Sequence, residues 1–244
     1  MQFILCEDTR QTKKLLTHYS LLKNQRLICA NEHTEYSLKD FMVNEIKKGA
    51  ALAFVSDAGT PGICDPGHQL VAFAHQHNLS VVPIPGASSL TAFLSCIPYC
   101  AQPIHFVGFL PRKEKGIIER LQQNHPEDYL LVFLESPQRI VRTVHTIKKT
   151  LPEETQCYIG RELTKIYEQI WCGTLLSLSA EIGALIPDKG EFIMAIEIKK
   201  TLAENWHNPA RTLATLLGVK KTSQWISEHF DVRKNQVYDF LTQL

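Results

Sequence analysis

Across its first hundred residues the chain alternates short apolar runs with helically spaced stretches. The runs FILC (3–6), ALAFV (51–55) and SVVPI (80–84) read as buried strands. Between them, TRQTKKLLTHYSLL (9–22) carries Leu15, Leu16, Tyr19 and Leu22 on one side. SLKDFMVNEIKKG (37–49) has Ser37 followed by Asp40 as a cap and stops at Gly49. PGHQLVAFAHQHN (66–78) and GASSLTAFLSCI (86–97) complete the set of helices. Strands separated by crossover helices predict a parallel α/β sheet. After Pro98 the texture changes. IHFVGFLPRKEKG (104–116) runs from a strand into a basic loop, and YLLVFLESPQRIVRTVHTIKKTL (129–151) reads as strand, turn and helix. TQCYIGRELTKIYEQIWCGTL (155–175) reads as two strands around a charged turn, and KGEFIMAIEIKK (189–200) as a last strand. A second α/β domain therefore begins near residue 104, and three short helices follow residue 203.

Composition narrows the partners. With 244 residues the chain is long enough for two modest cores. A net charge of +1 sets up no global field for a polyanion, so local basic clusters must carry any such contact. No apolar stretch approaches the roughly 20 residues that span a bilayer, so no membrane partner is expected. The opening MQFILCEDTR lacks a basic n-region and a cleavage site. Seven cysteines, an odd number without a CxxC, read as reduced thiols in a cytoplasm. The ten histidines have no metal-ligand spacing, so no metal is expected.

In open parallel sheets ligands bind beyond the carboxyl ends of strands. Three loops lie there: Glu7-Asp8-Thr9-Arg10, Ser56-Asp57-Ala58-Gly59 and Pro85-Gly86-Ala87-Ser88-Ser89. Each alone reads equally as a turn with an N-cap residue. Together, with acids in two of them, they point to a ligand. The chain has no GxGxxG after a strand and no GxxxxGK[ST], which argues against a Rossmann dinucleotide site and a P-loop. It also has no HExxH and no GxSxG.

Seven motifs carry a resemblance, in order and in register from residue 3 to residue 199: EDTRQTKKLL, VSDAGTPGICDPG, PIPGASSLTA, FVGFLPRKEKG, VFLESPQRI, RELTKIYEQIWCGTL and KGEFIMAIE. The series resembles the small-subunit ribosomal RNA methyltransferase I family of the tetrapyrrole methylase superfamily. The resemblance implies two α/β domains, 1–101 and 102–202, with a cofactor cleft between them, and a helical accessory subdomain at 203–244. It implies S-adenosylmethionine as cofactor and methyl transfer to the ribose 2′-oxygen of a cytidine in 16S ribosomal RNA. A homodimer in the cytoplasm is implied as well.

Carried over by motif, the cofactor contacts are Val55, Ser56 and Asp57; Ser88, Ser89 and Leu90; Leu134; and Gly190. An aspartate at a strand end suits the cationic sulfonium and amino groups. Backbone N–H groups of the Pro85–Ser89 loop suit the carboxylate. Asp65 is read as a cap for the helix beginning at Pro66. Arg112, Lys113, Lys115 and Arg139 are expected to position RNA phosphates. A ribose hydroxyl needs alignment and a base. Asp8 or Glu7 is the candidate base, with Arg10 orienting it, although both acids equally suit a helix N-terminus. Other substrates within the superfamily, a tetrapyrrole or a protein side chain, remain open, as does a catalytically silent RNA-binding role. The basic GFLPRKEKG loop argues against a tetrapyrrole.

The resemblance also implies a strand, loop and helix ahead of EDTRQTKKLL and the strand before it, with that earlier strand inside the first sheet. The sequence leaves three accounts open: a start assigned too late, a sheet that closes without the strand, or a decayed copy. KKTSQWISEHFDVRKNQVYDFL (220–241) has helix–turn–helix spacing, and its simplest reading is packed helices with Trp225, Ile226 and Phe230 on the core face.

Overall fold

The computed structural model describes residues 1–99, 103–123, 127–199, 206–230 and 232–243. In the first half, strand β1 (Phe3–Cys6) is buried at all four residues. It lies between β2 (Arg26–Cys29) and β3 (Leu52–Val55), both parallel to it, in the order β2-β1-β3. A central parallel strand covered on both faces must be apolar throughout, and FILC is. The crossovers are α1 (Thr9–His18), then a 3-10 turn (Glu35–Leu38) leading into α2 (Lys39–Lys47). Helix α3 (His68–Gln76) follows β3. Leu5, Ala30, Met42, Leu70 and Ala74 form this core.

Three local expectations change. Ser37 does not cap α2; its hydroxyl donates to the Thr34 carbonyl (2.7 Å), and the N-cap position is Leu38. Helix α1 ends at His18, and Leu15 and Tyr19 are exposed rather than on a buried face. Residues 80–84 form no strand. The outer edge of β3 carries no paired strand among the described residues, so SVVPI has no ladder to join, and Val82 (71%) and Ile84 (82%) face solvent. Extended backbone gains its hydrogen bonds from a neighbour, and apolar character alone does not supply one.

Helix α4 (Ser89–Leu94) crosses to the second half. There, β4 (Ile104–Phe109), β5 (Tyr129–Glu135), β6 (Gln156–Arg161), β7 (Gln169–Thr174) and β8 (Phe192–Ile198) form one sheet in the order β4-β5-β8-β6-β7. Only β4 and β5 are parallel; the remaining pairs are antiparallel. Side chains alternate across this sheet with the strand period of two. Leu131, Phe133, Ile159, Met194 and Ile196 face α5 (Glu114–Leu121), α6 (Ile140–Lys148) and α7 (Leu175–Glu181). Leu130, Val132, Tyr158, Ile193 and Ala195 face Phe93 and Ile97 of the α4 segment. The helix that begins in the first half's PGASS loop thus covers a face of the second sheet, which ties that loop to it.

Helices α8 (His207–Leu217), α9 (Val219–His229) and α10 (Lys234–Thr242) pack chiefly on one another around Trp206, Ala210, Ile226, Val237 and Leu241. Ile226 is fully buried, whereas Trp225 is partly exposed and stacks on His229. The domain junctions expected at 101–102 and 202–203 lie outside the described residues. Among the described residues no helix is long and apolar enough to cross a membrane, and no cluster of His, Cys, Asp and Glu has the geometry to hold a metal.

Candidate functional site

A cavity of about 570 Å³ opens between the two sheets. Its floor comes from the loop after β3, including Ala58, Gly59, Thr60 and Asp65. The PGASS loop adds Ala87, Ser88, Ser89 and Leu90. The second sheet supplies Phe106 and Phe109 from β4, Leu134 and Glu135 from β5, and Phe192 and Ile193 from β8. The volume lies within the range of small-molecule sites, with apolar walls and a few polar groups. Thr60 Oγ1 donates to the Ala87 carbonyl (3.5 Å), which links the two loops of the first half.

The residues expected around a cofactor divide. Ser88, Ser89, Leu90 and Leu134 line the cavity. Val55, Ser56, Asp57 and Gly190 do not; Asp57 and Gly190 each stand beside a residue that does, Ala58 and Glu191, while Val55 and Ser56 lie further back along the chain. Asp57 is used for stitching the strand ends together. Its Oδ1 accepts from the Asp8 N–H (3.3 Å), while its own N–H donates to Glu7 Oε2 (3.2 Å). The Glu7 N–H in turn donates to the Val55 carbonyl. The Ser56 hydroxyl donates to the Ala58 carbonyl (2.9 Å). Gly190 has φ +97°, and a Cβ there would run into Glu162. Glu162 Oε1 accepts from the Glu191 N–H (2.8 Å) and from Lys165 Nζ (3.1 Å), so the glycine lets this turn close down on the cleft wall.

Asp8 is the N-cap of α1. It accepts from the Arg10 backbone N–H (2.8 Å) and is ion-paired to the Arg10 guanidinium (2.7 Å). The hydrogen bonds from Arg10 hold its carboxyl down to about 2. Asp65 has the opposite environment. Burial pushes its carboxyl above the ordinary value; a hydrogen bond with Ser56 opposes this, and the charges of Glu7 and Asp57 add to it. From the sequence, Asp65 is expected to cap the following helix. Gly67 holds that N-cap position instead, and Asp65 lines the cavity.

The loop after β3 is held from beneath. Glu35, 1% exposed, accepts a hydrogen bond from the Gly67 N–H. Gly67 has φ +124°, and a Cβ there would collide with the Phe54 ring. The glycine-rich run is thus fixed at its far end by a buried carboxylate. No motif signalled this, because Glu35 is distant in sequence.

Arg112, Lys113 and Lys115 are exposed just beyond Phe109. Arg139 is drawn inward instead. Its Nη2 donates to the Leu110 and Pro111 carbonyls (both 2.9 Å) and lies 3.2 Å from Glu135, whose side chain is fully buried. It braces the basic loop against β5. Glu135 also accepts from Thr143 (2.7 Å) and from the Ser136 N–H (2.8 Å).

Comparisons with known proteins give the family and the fold. The family model for tetrapyrrole (corrin/porphyrin) methylases matches residues 2–179. A ribosomal RNA small subunit methyltransferase I from Synechocystis is 34% identical, covering 100% of this chain and 89% of its own. The protein of the same name from Pasteurella multocida is 33% identical, covering 98% of this chain and 87% of its own. Among solved structures, cobalt precorrin-4 methyltransferase superposes with a TM-score of 0.54 at 14% identity, over 79% of this chain and 82% of that one. The methyltransferase CobJ gives 0.51 at 11%, over 80% and 93%. The family model covers most of the chain and the relatives match nearly all of it at 33% and 34% identity: the chain belongs to the tetrapyrrole methylase family, in the branch whose curated members are named ribosomal RNA small subunit methyltransferase I.

Proposed function

We propose that this chain transfers a methyl group from S-adenosylmethionine to the ribose 2′-oxygen of a cytidine in 16S ribosomal RNA. The observation that carries the reading is the cleft itself. Its motif loops meet between two sheets, and a basic loop follows directly from its Phe109 wall. The names of the curated relatives add the RNA.

The residues present fit the cofactor. Phe106, Phe109, Leu90 and Leu134 offer apolar walls for the adenosine, and Ser88 and Ser89 offer polar groups at the start of α4. Asp65 in the cleft lining, with Asp57 at the β3 strand end behind it, gives the site a negative character that favours a cation. Bound there, S-adenosylmethionine supplies an electrophilic methyl group.

This chain's residues do the rest. Arg112, Lys113 and Lys115 hold RNA phosphates, and Arg139 keeps their loop in position. Asp65 takes the proton of the 2′-hydroxyl: it lines the cleft, and burial raises its carboxyl above the ordinary value, which makes it a stronger base than an ordinary aspartate. Asp8, held at about 2 by Arg10, is a much weaker base, and its part is to position the strand ends.

The test is methyl transfer from labelled S-adenosylmethionine to small ribosomal subunits, followed by nucleoside analysis. The expected product is 2′-O-methylcytidine in 16S RNA. Label on a base, or none in RNA, overturns the reading.

A further inference from the structure

A second hollow, of about 420 Å³, lies outside the cleft between α1 and the start of β2. Thr9, Arg10, Lys13, Lys23 and Gln25 line it, with Leu22 and Leu27 as its apolar part. Three cations meet there, and no carboxylate lines it. Asp8 lies next to it and pairs with Arg10. Among the described residues neither Lys13 nor Lys23 pairs with an acid. The turn that presents Lys23 is fixed by Gln25: its Oε1 accepts from the Lys23 N–H (2.6 Å), and its Nε2 donates to the Leu21 carbonyl (2.9 Å). Lys13 lies one turn after Arg10 on α1, so both point along the same side of the helix.

We propose that this hollow binds a phosphodiester of the RNA substrate, as a phosphate site separate from the 112–115 loop; this rests on the RNA-methylating reading above. Three things carry it. In a chain of net charge +1, three cations around one concavity form a local positive field without global support. The site is concave and partly preordered, so lysine ammonium groups meet a phosphate at a low entropic cost. Arg10 joins it to the cleft. Arg10 is bonded to Asp8, and Asp8 is bonded through its N–H to Asp57 at the cleft's strand ends. A phosphate held here lies on the bonded strand-end network of Arg10, Asp8 and Asp57, whose next residue, Ala58, lines the cleft. Non-bridging phosphate oxygens accept from Lys and Arg, with Thr9 as an added donor.

The experiment measures binding of 16S ribosomal RNA to the full chain as a function of salt, with S-adenosylmethionine affinity measured in parallel. Each phosphate contact adds about 0.7 to the log–log slope for single strands. Lys13→Ala/Lys23→Ala should lower the slope by about 0.7, the share of one phosphate, and leave cofactor affinity unchanged. Lys13→Arg/Lys23→Arg should restore the slope, because charge and not packing is at stake. Both positions are exposed, so folding is not at risk. A wild-type slope in the alanine variant overturns the site. If replacing Arg112, Lys113 and Lys115 flattens the slope while the hollow variant does not, this site falls and the RNA reading stands. If the wild-type chain shows no salt-dependent RNA binding, both fall together.

Discussion

Arg10 donates to both carboxylate oxygens of Asp8 from its side chain and to one from its backbone, whereas Asp65 sits partly buried near Glu7 and Asp57 with no cation paired to it among the described residues. One carboxyl is therefore pinned in its charged form and the other is pushed toward its neutral form. In the proposed reaction this makes a division of labour: Asp8 positions and Asp65 takes the proton. In the pH dependence of kcat, activity should rise as Asp65 loses its proton, on a limb lying above the ordinary carboxylate value of 3.8. Asp65→Asn should remove that limb and lower kcat by about a hundredfold or more. Asp8→Asn, which keeps a good N-cap, should leave the limb in place. The sign for stability is opposite to that for activity. A carboxyl raised in the folded state costs stability once the pH exceeds its unfolded value, and that cost disappears at lower pH. Asp65→Asn should therefore melt higher than wild type at neutral pH, with the gain vanishing on acidification. A kcat equal to wild type in this variant would remove Asp65 from the chemistry.

At the scale of elements, α4 carries the most consequence for its length. It is six residues long and too short to be stable by itself. Phe93 anchors it, fully buried against Gly160 and Ile193 of the second sheet. Ser88, Ser89 and Leu90 reach the cleft from its first turn, so the anchor and the ligand contacts share one short helix. Phe93→Ala should cost about 3–5 kcal/mol of stability, the usual penalty for emptying an aromatic site. It should also weaken S-adenosylmethionine binding well beyond the fraction of chain unfolded, because α4 loses its hold on the sheet. A variant that loses stability but keeps native cofactor affinity would show that the PGASS loop is held in place without α4.

For the whole molecule, the cleft draws its walls from the loops of the first half and from the second sheet, so a ligand in it stabilises both halves. At a hundredfold excess over its Kd, S-adenosylmethionine should add about 2.7 kcal/mol to the stability of everything that unfolds with the site. A melt of the full chain should show the transition of both sheets moving together. Two separate transitions, only one of which moves, would place the ligand on one sheet alone. The C-terminal helices have their own small core and pack chiefly on one another. Their transition is expected to stay where it is when the cofactor is added.

Much of this protein is legible in sequence because it rests on local patterning. FILC is buried on every residue since a central strand is covered on both faces, and YLLVFLE alternates between two cores because strand side chains alternate. The loops that line the cleft follow strand ends, and their glycines and serines mark them. Tertiary structure decided the rest. SVVPI has a strand's composition, but pairing is a property of two strands, and none lies beside it. Arg139 reads as a surface cation, yet the carbonyls at 110–111 and a buried Glu135 turn it inward. Asp8 and Asp65 are the same residue type in similar acidic, turn-rich company. What separates them is whether a guanidinium or further carboxylates stand nearby, and that depends on how distant loops meet. Patterning along the chain determines which segments are strands, helices and ligand loops; charge and hydrogen-bond partners across it determine what each side chain does, because those partners come from residues up to fifty positions away.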